Sequence, residues 1–157
     1  MDLEVLKTSF PEALSELVLD RGQPVARVHS AQIHTFLRAC KEDPRLQFDF
    51  LMDVVGVDHL GQKPRFEVVY ILYSMPLNQR LRVRVRVEEG ESLPTASNIW
   101  ASADWAEREV WDMYGIKFEG HPNLKRILLF EEFEGHPLRK DYPTERRQKI
   151  PKIEEVP

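Results

Sequence analysis

The chain is short of most features that enzyme active sites are built from. It holds one cysteine, Cys40, in 157 residues. A single thiol closes no intrachain disulfide, which fits a reducing compartment, and no four-cysteine zinc or iron–sulfur site can be built from this chain alone. Only seven glycines occur, and none falls in a GxGxxG or Walker pattern, so nucleotide binding has no support. No serine sits in a GxSxG elbow, and no HxH, HExxH or CxxC spacing offers zinc a ligand set. Long apolar runs are missing too. The longest, "FDFLMDVVGV", is broken by Asp49 and Asp53, well short of the about 20 apolar residues of a membrane helix. The start, "MDLEVLKTSFPEAL", has no basic region followed by an apolar run, so it does not read as a secretory signal. These absences predict a chain that is soluble, or peripheral to a membrane at most.

Excess positive charge is also lacking. A formal charge of −4 and a pI near 5.8 argue against a dedicated nucleic-acid binder. Basic residues are instead local: Arg80, Arg82, Arg84 and Arg86 in one run, and a tail from Arg139 to Lys152. Local basic strips can dock on acidic partners even when the whole chain is acidic. At this length the prior is a single domain.

What is present is clear periodicity. "FPEALSELVLDRG" reads as a short helix, with Pro11 in the first turn and Gly22 at its end. "PVARVHS" alternates as a strand. In "SAQIHTFLRACKEDP", Ile33, Phe36, Leu37 and Cys40 fall at i, i+3, i+4 and i+7 after a possible Ser30 cap, so the segment is a helix and Cys40 a core residue rather than a reactive thiol. Three strand-like runs follow: "FDFLMDVVGVD", "RFEVVYILYSM" and "RLRVRVRVE". The last puts Leu81, Val83, Val85 and Val87 on one face and Arg82, Arg84 and Arg86 on the other. Short spacing between them suggests an antiparallel meander covered by the helices, with the arginine face solvated. A third helix, 102–114, places Ala103, Ala106, Val110, Met113 and Tyr114 together, with Ser102 as cap, Gly115 at C′, and Asp104–Arg108 and Arg108–Asp112 as i, i+4 neighbours. Trp105 and Trp111 lie off that face and suggest a second packing surface. Past Lys117 regularity fades, "RILLF" offering at most a short strand or turn, and "EGHPLRKDYPTERRQKIPKIEEVP" has too few large apolar residues to pack a core. The fold class is therefore α+β: a small, mostly antiparallel sheet with helices packed on one face, plus an extended C-terminal tail. The division is 1–119 as the α+β domain and 120–157 as an extended assembly segment.

Two of the five histidines stand in a repeated Gly-His-Pro, at His121 and His136. As metal ligands they would need help from Asp112, Asp141 or glutamates, which a charge-rich chain offers by chance. As catalytic groups they lack a partner: Cys40 sits on an apolar helix face, and Glu107 and Glu109 point apart at i, i+2. Backbone shaping is the stronger reading. Glycine permits a turn, and proline (Pro122, Pro137) drives the preceding histidine into an extended conformation whose imidazole can bond a backbone group and lock the corner.

Residues 107–143, "EREVWDMYGIKFEGHPNLKRILLFEEFEGHPLRKDYP", closely resemble the motif of the 30-kDa subunit family of respiratory complex I, the C subunit of bacterial NADH–quinone oxidoreductase. The strands "FLMDVVGVDH", "RFEVVYILYS" and "RLRVRVRV" also look like that family's, so the likeness spans most of the chain. One departure is local. The family usually reads Asp-Tyr-Gly-Phe before the second Gly-His-Pro, where this chain has Phe130-Glu131-Glu132-Phe133, so Glu132 must adopt positive φ or the turn must differ.

The resemblance implies a subunit of a proton-translocating NADH:quinone oxidoreductase that carries no flavin, no iron–sulfur cluster and no metal. FMN and the clusters would belong to other chains, and no activity is expected of this chain alone. It implies a place in the hydrophilic arm, peripheral to the cell membrane on its cytoplasmic side. There it would lie against the quinone-site D subunit and the cluster-bearing I and B subunits, without nucleic acid and without membrane insertion. Interface residues implied by the motif are Glu107, Arg108, Trp111, Asp112, Tyr114, His121, Pro122, Arg126, His136, Pro137, Arg139, Lys140, Asp141, Tyr142, Arg146 and Arg147. The tail from about His121 would run over the D subunit, with Arg139, Lys140, Arg146 and Arg147 paired to its acids. Because the chain ends soon after the motif, it is expected to be free-standing rather than fused to that neighbour. The alternatives are a homologous subunit of a membrane-bound hydrogenase or F420 dehydrogenase complex and, from another class, a metal-dependent hydrolase using His121 and His136.

Overall fold

The computed structural model describes residues 3–150, so the end of the predicted tail, 151–157, lies outside the described residues. The elements run α1 (Leu3–Ser9), β1 (Leu14–Asp20), β2 (Gln23–Val28), α2 (Ile33–Glu42), β3 (Phe50–Asp58), β4 (Phe66–Ser74), β5 (Gln79–Val87), β6 (Ser92–Pro94), α3 (Ala103–Tyr114) and β7 (Lys117–Glu119). Five strands form one sheet in the order β1-β2-β5-β4-β3, and β6 pairs with β7 in a small parallel ribbon. Every pairing in the large sheet is antiparallel except β2 with β5. This is the α+β, mostly antiparallel architecture that the sequence patterns predict.

The β3–β4–β5 meander follows directly from its alternation. Phe66, Val68, Tyr70 and Leu72 of β4 and Leu81, Val83, Val85 and Val87 of β5 are buried on the same face. Against them pack Ile33, Phe36, Leu37 and Cys40, all at most 1% exposed, from the stripe of α2 that its i, i+3, i+4, i+7 spacing predicts. Burial pushes the Cys40 thiol well above its ordinary range, which makes it inert. Ala103, Val110 and Met113 bury the inner face of α3, which lies against β3.

The stretch 10–22 is not a helix. Leu14–Asp20 is a strand, and the short helix lies before it, at Leu3–Ser9. Apolar residues at Leu14, Leu17 and Val18 fit helical spacing, but they equally serve a strand with a bulge between Leu14 and Glu16. The turn decides. Arg21 (φ 51°) and Gly22 (φ 79°) both take the left-handed region and join Asp20 to Gln23, a two-residue hairpin connection. Gly22 thus closes a hairpin and does not end a helix. The expected serine caps differ as well. Neither Ser30 nor Ser102 makes a side-chain cap bond: Ser30 opens a single 3-10 turn leading into α2, and the Ser102 hydroxyl donates to the Leu51 carbonyl at 3.0 Å, tying α3 to β3.

Segment 120–150 contains turns and bends but no helix or strand, and "RILLF" is irregular chain. Glu132 is not among the described residues with positive φ. The 130–133 turn is closed by the Phe133 amide on the Phe130 carbonyl at 3.1 Å, with the two rings edge to face. The different-turn alternative is therefore the one realised.

Candidate functional site

A helix leaves its last four carbonyls without intrahelical donors. In α3 these belong to Trp111, Asp112, Met113 and Tyr114, and each is met by a specific group. The Gly115 amide reaches Trp111 O at 2.7 Å, His136 Nδ1 donates to Asp112 O at 2.9 Å, the Leu138 amide to Met113 O at 3.1 Å, and Arg139 Nε to Tyr114 O at 2.6 Å. The segment Gly-His-Pro-Leu-Arg is thus the C-terminal cap of α3, supplied from more than twenty residues downstream. Arg126 and Arg139 also bring positive charge to the helix end where the macrodipole favours it. Gly115 makes this fit possible. It takes φ +77°, and a Cβ there would lie 2.6 Å from both the Arg139 guanidinium and the His136 ring. Burial, with the Arg139 and Arg126 charges nearby, holds His136 below its ordinary pKa, and a neutral ring carrying its proton on Nδ1 makes the bond observed.

Asp112 fastens the other side. Its carboxylate is fully buried, and it accepts bonds from Arg126 Nη1 (2.6 Å) and from the amides of Ile127 (3.1 Å), Leu128 (2.9 Å) and Leu129 (3.1 Å). Burial alone would raise its pKa, but these donors hold it below the usual carboxylate range. Arg126 goes on to the Phe133 and Gly135 carbonyls and lies over the Trp111 and Phe133 rings, while Trp111 meets the His136 ring edge to face. The i, i+4 pairing expected between Arg108 and Asp112 gives way to this one. Arg108 turns to the Lys125 and Arg126 carbonyls and stacks on Trp105.

At the start of α3, Glu107 is fully buried. It accepts from the Thr95 hydroxyl at 2.5 Å and the Ala96 amide at 2.6 Å. Burial pushes its pKa up to about 7; the two hydrogen bonds oppose that rise and the Asp104 charge adds to it. The side chain of His121 is shielded beside it. Nε2 reaches the Asp104 carbonyl at 3.0 Å and Nδ1 accepts from the Asn123 amide at 3.0 Å. Both Gly-His-Pro histidines therefore bond backbone groups and lock corners, as their flanking residues predict. They do so eight residues apart on α3, at Asp104 and Asp112, about 12 Å along the axis. The geometry does not unite them as a metal pair. Among the described residues no group of three or more His, Cys, Asp or Glu could hold a metal ion.

A second anchor joins the segment to the sheet. Arg65 makes a two-pronged pair with the buried Asp58 (2.9 Å for each bond) and reaches Glu89 at 2.9 Å and Asp141 at 2.7 Å. The Lys140 amide donates to Asp58 at 2.8 Å, and Arg139 Nη1 to Glu89 at 2.6 Å. Arg65 holds both Asp58 and Asp141 below the usual carboxylate range. Sequence reasoning missed Asp58, Arg65, Glu89 and Thr95. Their one visible signal is that Asp58 and Arg65 are charges set at the facing ends of two apolar strands.

Of the sixteen residues implied by the motif, Glu107, Arg108, Trp111, Asp112, Tyr114, His121, Arg126, His136, Pro137, Arg139, Asp141 and Tyr142 are at least half-buried or bonded within this network. The Lys140 side chain, Pro122 and Arg147 are exposed. Arg139 and Arg146 are engaged inside the chain, Arg146 with Glu134 at 2.6 Å. Tyr142 stacks on Phe133, and Gln148 bridges the Tyr142 hydroxyl to the Glu134 backbone.

Replacing Glu107 with glutamine tests the burial argument. A raised carboxyl pKa means the folded state holds its proton longer, so stability is full below about pH 4.5 and falls as pH rises toward 7. Glutamine mimics the protonated form. Melting curves should show the variant losing that decline, with a relative gain of about 1–3 kcal/mol at pH 8 and none at pH 4.5.

No helix among the described residues is long and apolar enough to cross a membrane. The family described as the respiratory-chain NADH dehydrogenase 30 Kd subunit matches residues 26–148. The second NADH-quinone oxidoreductase C subunit of Rhizobium meliloti (strain 1021) is 50% identical over 135 residues, 86% of this chain and 74% of that protein. Among solved structures, a trypsin-resistant fragment of Nqo5 superposes with a TM-score of 0.69 at 35% identity, over 79% of this chain and all of that one. A chain of the membrane-bound sulfane sulfur reductase, an archaeal respiratory membrane complex, superposes with a TM-score of 0.76 at 25% identity, over 98% of each chain.

Proposed function

Because the chain belongs to the 30-kDa subunit family of the respiratory-chain NADH dehydrogenase, we propose that it serves NADH–quinone oxidoreductase as a cofactor-free assembly subunit of the peripheral arm, on the cytoplasmic side of the membrane. Its partners are the quinone-site D subunit and the cluster-bearing I and B subunits, as the motif resemblance implies. Electron transfer and ion translocation belong to those and other chains. The observation that carries this reading is the fate of the motif's ionisable groups. Asp112 is used up by four donors, His121 and His136 by backbone partners, and Arg126 and Arg139 by carbonyls and carboxylates. Groups spent on internal bonds shape a surface; they do not turn over a substrate.

The cap on the end of α3 and the Asp112–Arg126 network together form a clasp, and what it shapes is segment 120–150. It is pinned at α3 and at Arg65, and it leaves Leu128 (61% exposed), Leu138 (52%) and Ile150 (77%) at the surface. Apolar side chains held outward on an irregular but anchored segment suit burial against another protein. Deleting residues 144–157 tests this. The expected result is a chain that still folds, with its core melting transition within a few degrees of the parent, but at least a several-fold drop in assembled NADH–quinone oxidoreductase on native gels of membranes. Full assembly with the deleted chain would refute the tail's role.

The superposition on the sulfane sulfur reductase chain over 98% of both lengths favours one second reading, service in a related respiratory complex that lacks an NADH-oxidising module.

A further inference from the structure

The helices cover one face of the five-stranded sheet; among the described residues no helix or strand covers the other. Reading across the strands, that outer face is graded. Val55, Val69 and Arg84 form one row, Asp53, Ile71 and Arg82 the next, and Phe50, Tyr73 and Arg80 a third. The β3 side is largely apolar, with Phe50 and Val55 exposed and one acid, Asp53, between them that accepts the Val54 amide at 2.8 Å. The β5 side is a ladder of arginines, continued onto β2 by Arg27 opposite Arg84. Near the end of the ladder lies a cleft of about 450 Å³ lined by Arg27, His29, His59, Glu67, Arg84 and Arg86. Glu67 is deep within it, and three groups crowd its carboxylate: His59 at 3.1 Å, Arg84 at 3.4 Å and Arg86 at 3.5 Å. Arg84 Nε makes no hydrogen bond despite that approach. Arg27 pairs at 2.7 Å with an exposed acid, Glu16, Arg82 at 3.1 Å with the half-exposed Asp20 and at 2.5 Å with Gln23, and Arg86 at 2.7 Å with Gln62. The ladder's internal partners beyond Glu67 are therefore exposed or half-exposed groups that an incoming carboxylate can replace. Two guanidiniums and an imidazole thus share one buried carboxylate, with a third guanidinium beside them, on a chain whose net charge is −4.

We infer that this outer face is a docking surface, separate from the 120–150 segment, for an acidic segment of a neighbouring subunit whose apolar side chains lie over Phe50, Val55, Ile71 and Tyr73 and whose carboxylates lie over Arg82, Arg84 and Arg86. The inference rests on the subunit reading above. Charge complementarity selects the occupant: a guanidinium ladder beside an apolar strip matches carboxylates beside apolar groups, and it penalises a basic partner or a second copy bringing its own arginines. The cleft gives one carboxylate a place to sit among Arg27, Arg84 and Arg86, where bidentate pairing adds register.

A photo-cross-linking phenylalanine analogue in place of Tyr73, in the complex purified in mild detergent, tests it. The expected product joins position 73 to another subunit, at a segment that mass spectrometry reads as rich in Asp and Glu. The double variant Arg82→Gln/Arg86→Gln, which leaves Arg84 and His59 on the buried Glu67 and frees only the half-exposed Asp20, should lower that yield about tenfold and make it more salt-sensitive, while the isolated variant keeps its melting transition within a few degrees. Cross-links to lipid, to nucleic acid, to a second copy or only within the chain would overturn the inference, as would an undiminished yield in the double variant. Recovery of the chain with partner subunits but no cross-link from position 73 sinks this surface alone. Recovery with no partner subunit sinks the subunit reading with it.

Discussion

Asp112→Asn should be the most damaging polar substitution in the chain, at about 3–5 kcal/mol, the usual cost of breaking one partner out of a buried ion pair. The side chain keeps its size, so no cavity forms. The loss is electrostatic and directional. One oxygen becomes an NH2, and it must face either the Arg126 guanidinium or the amides of Ile127, Leu128 and Leu129, all of them donors. Arg126, only 13% exposed, is left short of its counterion. For a domain of this size the melting temperature should fall by about 6–20 °C. The pH dependence identifies the cause. A depressed native pKa means Asp112 contributes stability above the unfolded carboxylate value and loses it as pH falls through the native one. The gap between parent and variant should therefore narrow toward pH 3. Amide exchange should quicken first at residues 127–129, since their donors lose their acceptor.

Arg65→Gln should come close behind, also at about 3–5 kcal/mol. It strands Asp58, whose side chain is 1% exposed, with only the Lys140 amide as a donor, and it releases Asp141 and Glu89. In the parent, Asp58 is held below its ordinary range by Arg65 and supplies stability at neutral pH. In the variant, burial prevails and the carboxyl pKa rises, so stability now declines as pH climbs through that raised value. Urea melts at pH 4 and pH 7 should show the larger deficit at pH 7. A deficit equal at both values would mean that lost packing of Arg65 on Phe66, 4.8 Å from the ring centroid, is the main cost.

These two sites mark where sequence reasoning succeeded and stopped. Strands β3 to β5 and helices α2 and α3 were legible because one face of each is buried, and burial writes a period of 2 or 3.6 into the residues. The clasp residues stood out as a motif, and the backbone-locking role of His121 and His136 followed from the glycine and proline beside them. Their partners did not. Arg108 was within reach of Asp112 on the same helix, yet Arg126 won because it approaches the buried carboxylate together with three amides, a contact between segments that no local spacing encodes. Arg65 and Asp58 were unreadable as an anchor for the same reason: 76 positions separate Arg65 from Asp141. The strand at 14–20 was mistaken because Leu14, Leu17 and Val18 satisfy both periods, and the left-handed pair Arg21–Gly22 that settles the matter resembles a helix stop.

The most direct test of the subunit assignment is to purify the tagged chain from membranes in mild detergent and identify what comes with it. The expected result is stoichiometric recovery of the quinone-site and iron–sulfur subunits together with the flavin-bearing, NADH-oxidising chains, and NADH:quinone reductase activity in the purified material. Recovery of the chain alone, or with hydrogenase or sulfur-reducing subunits and no NADH-oxidising chain, would contradict the assignment.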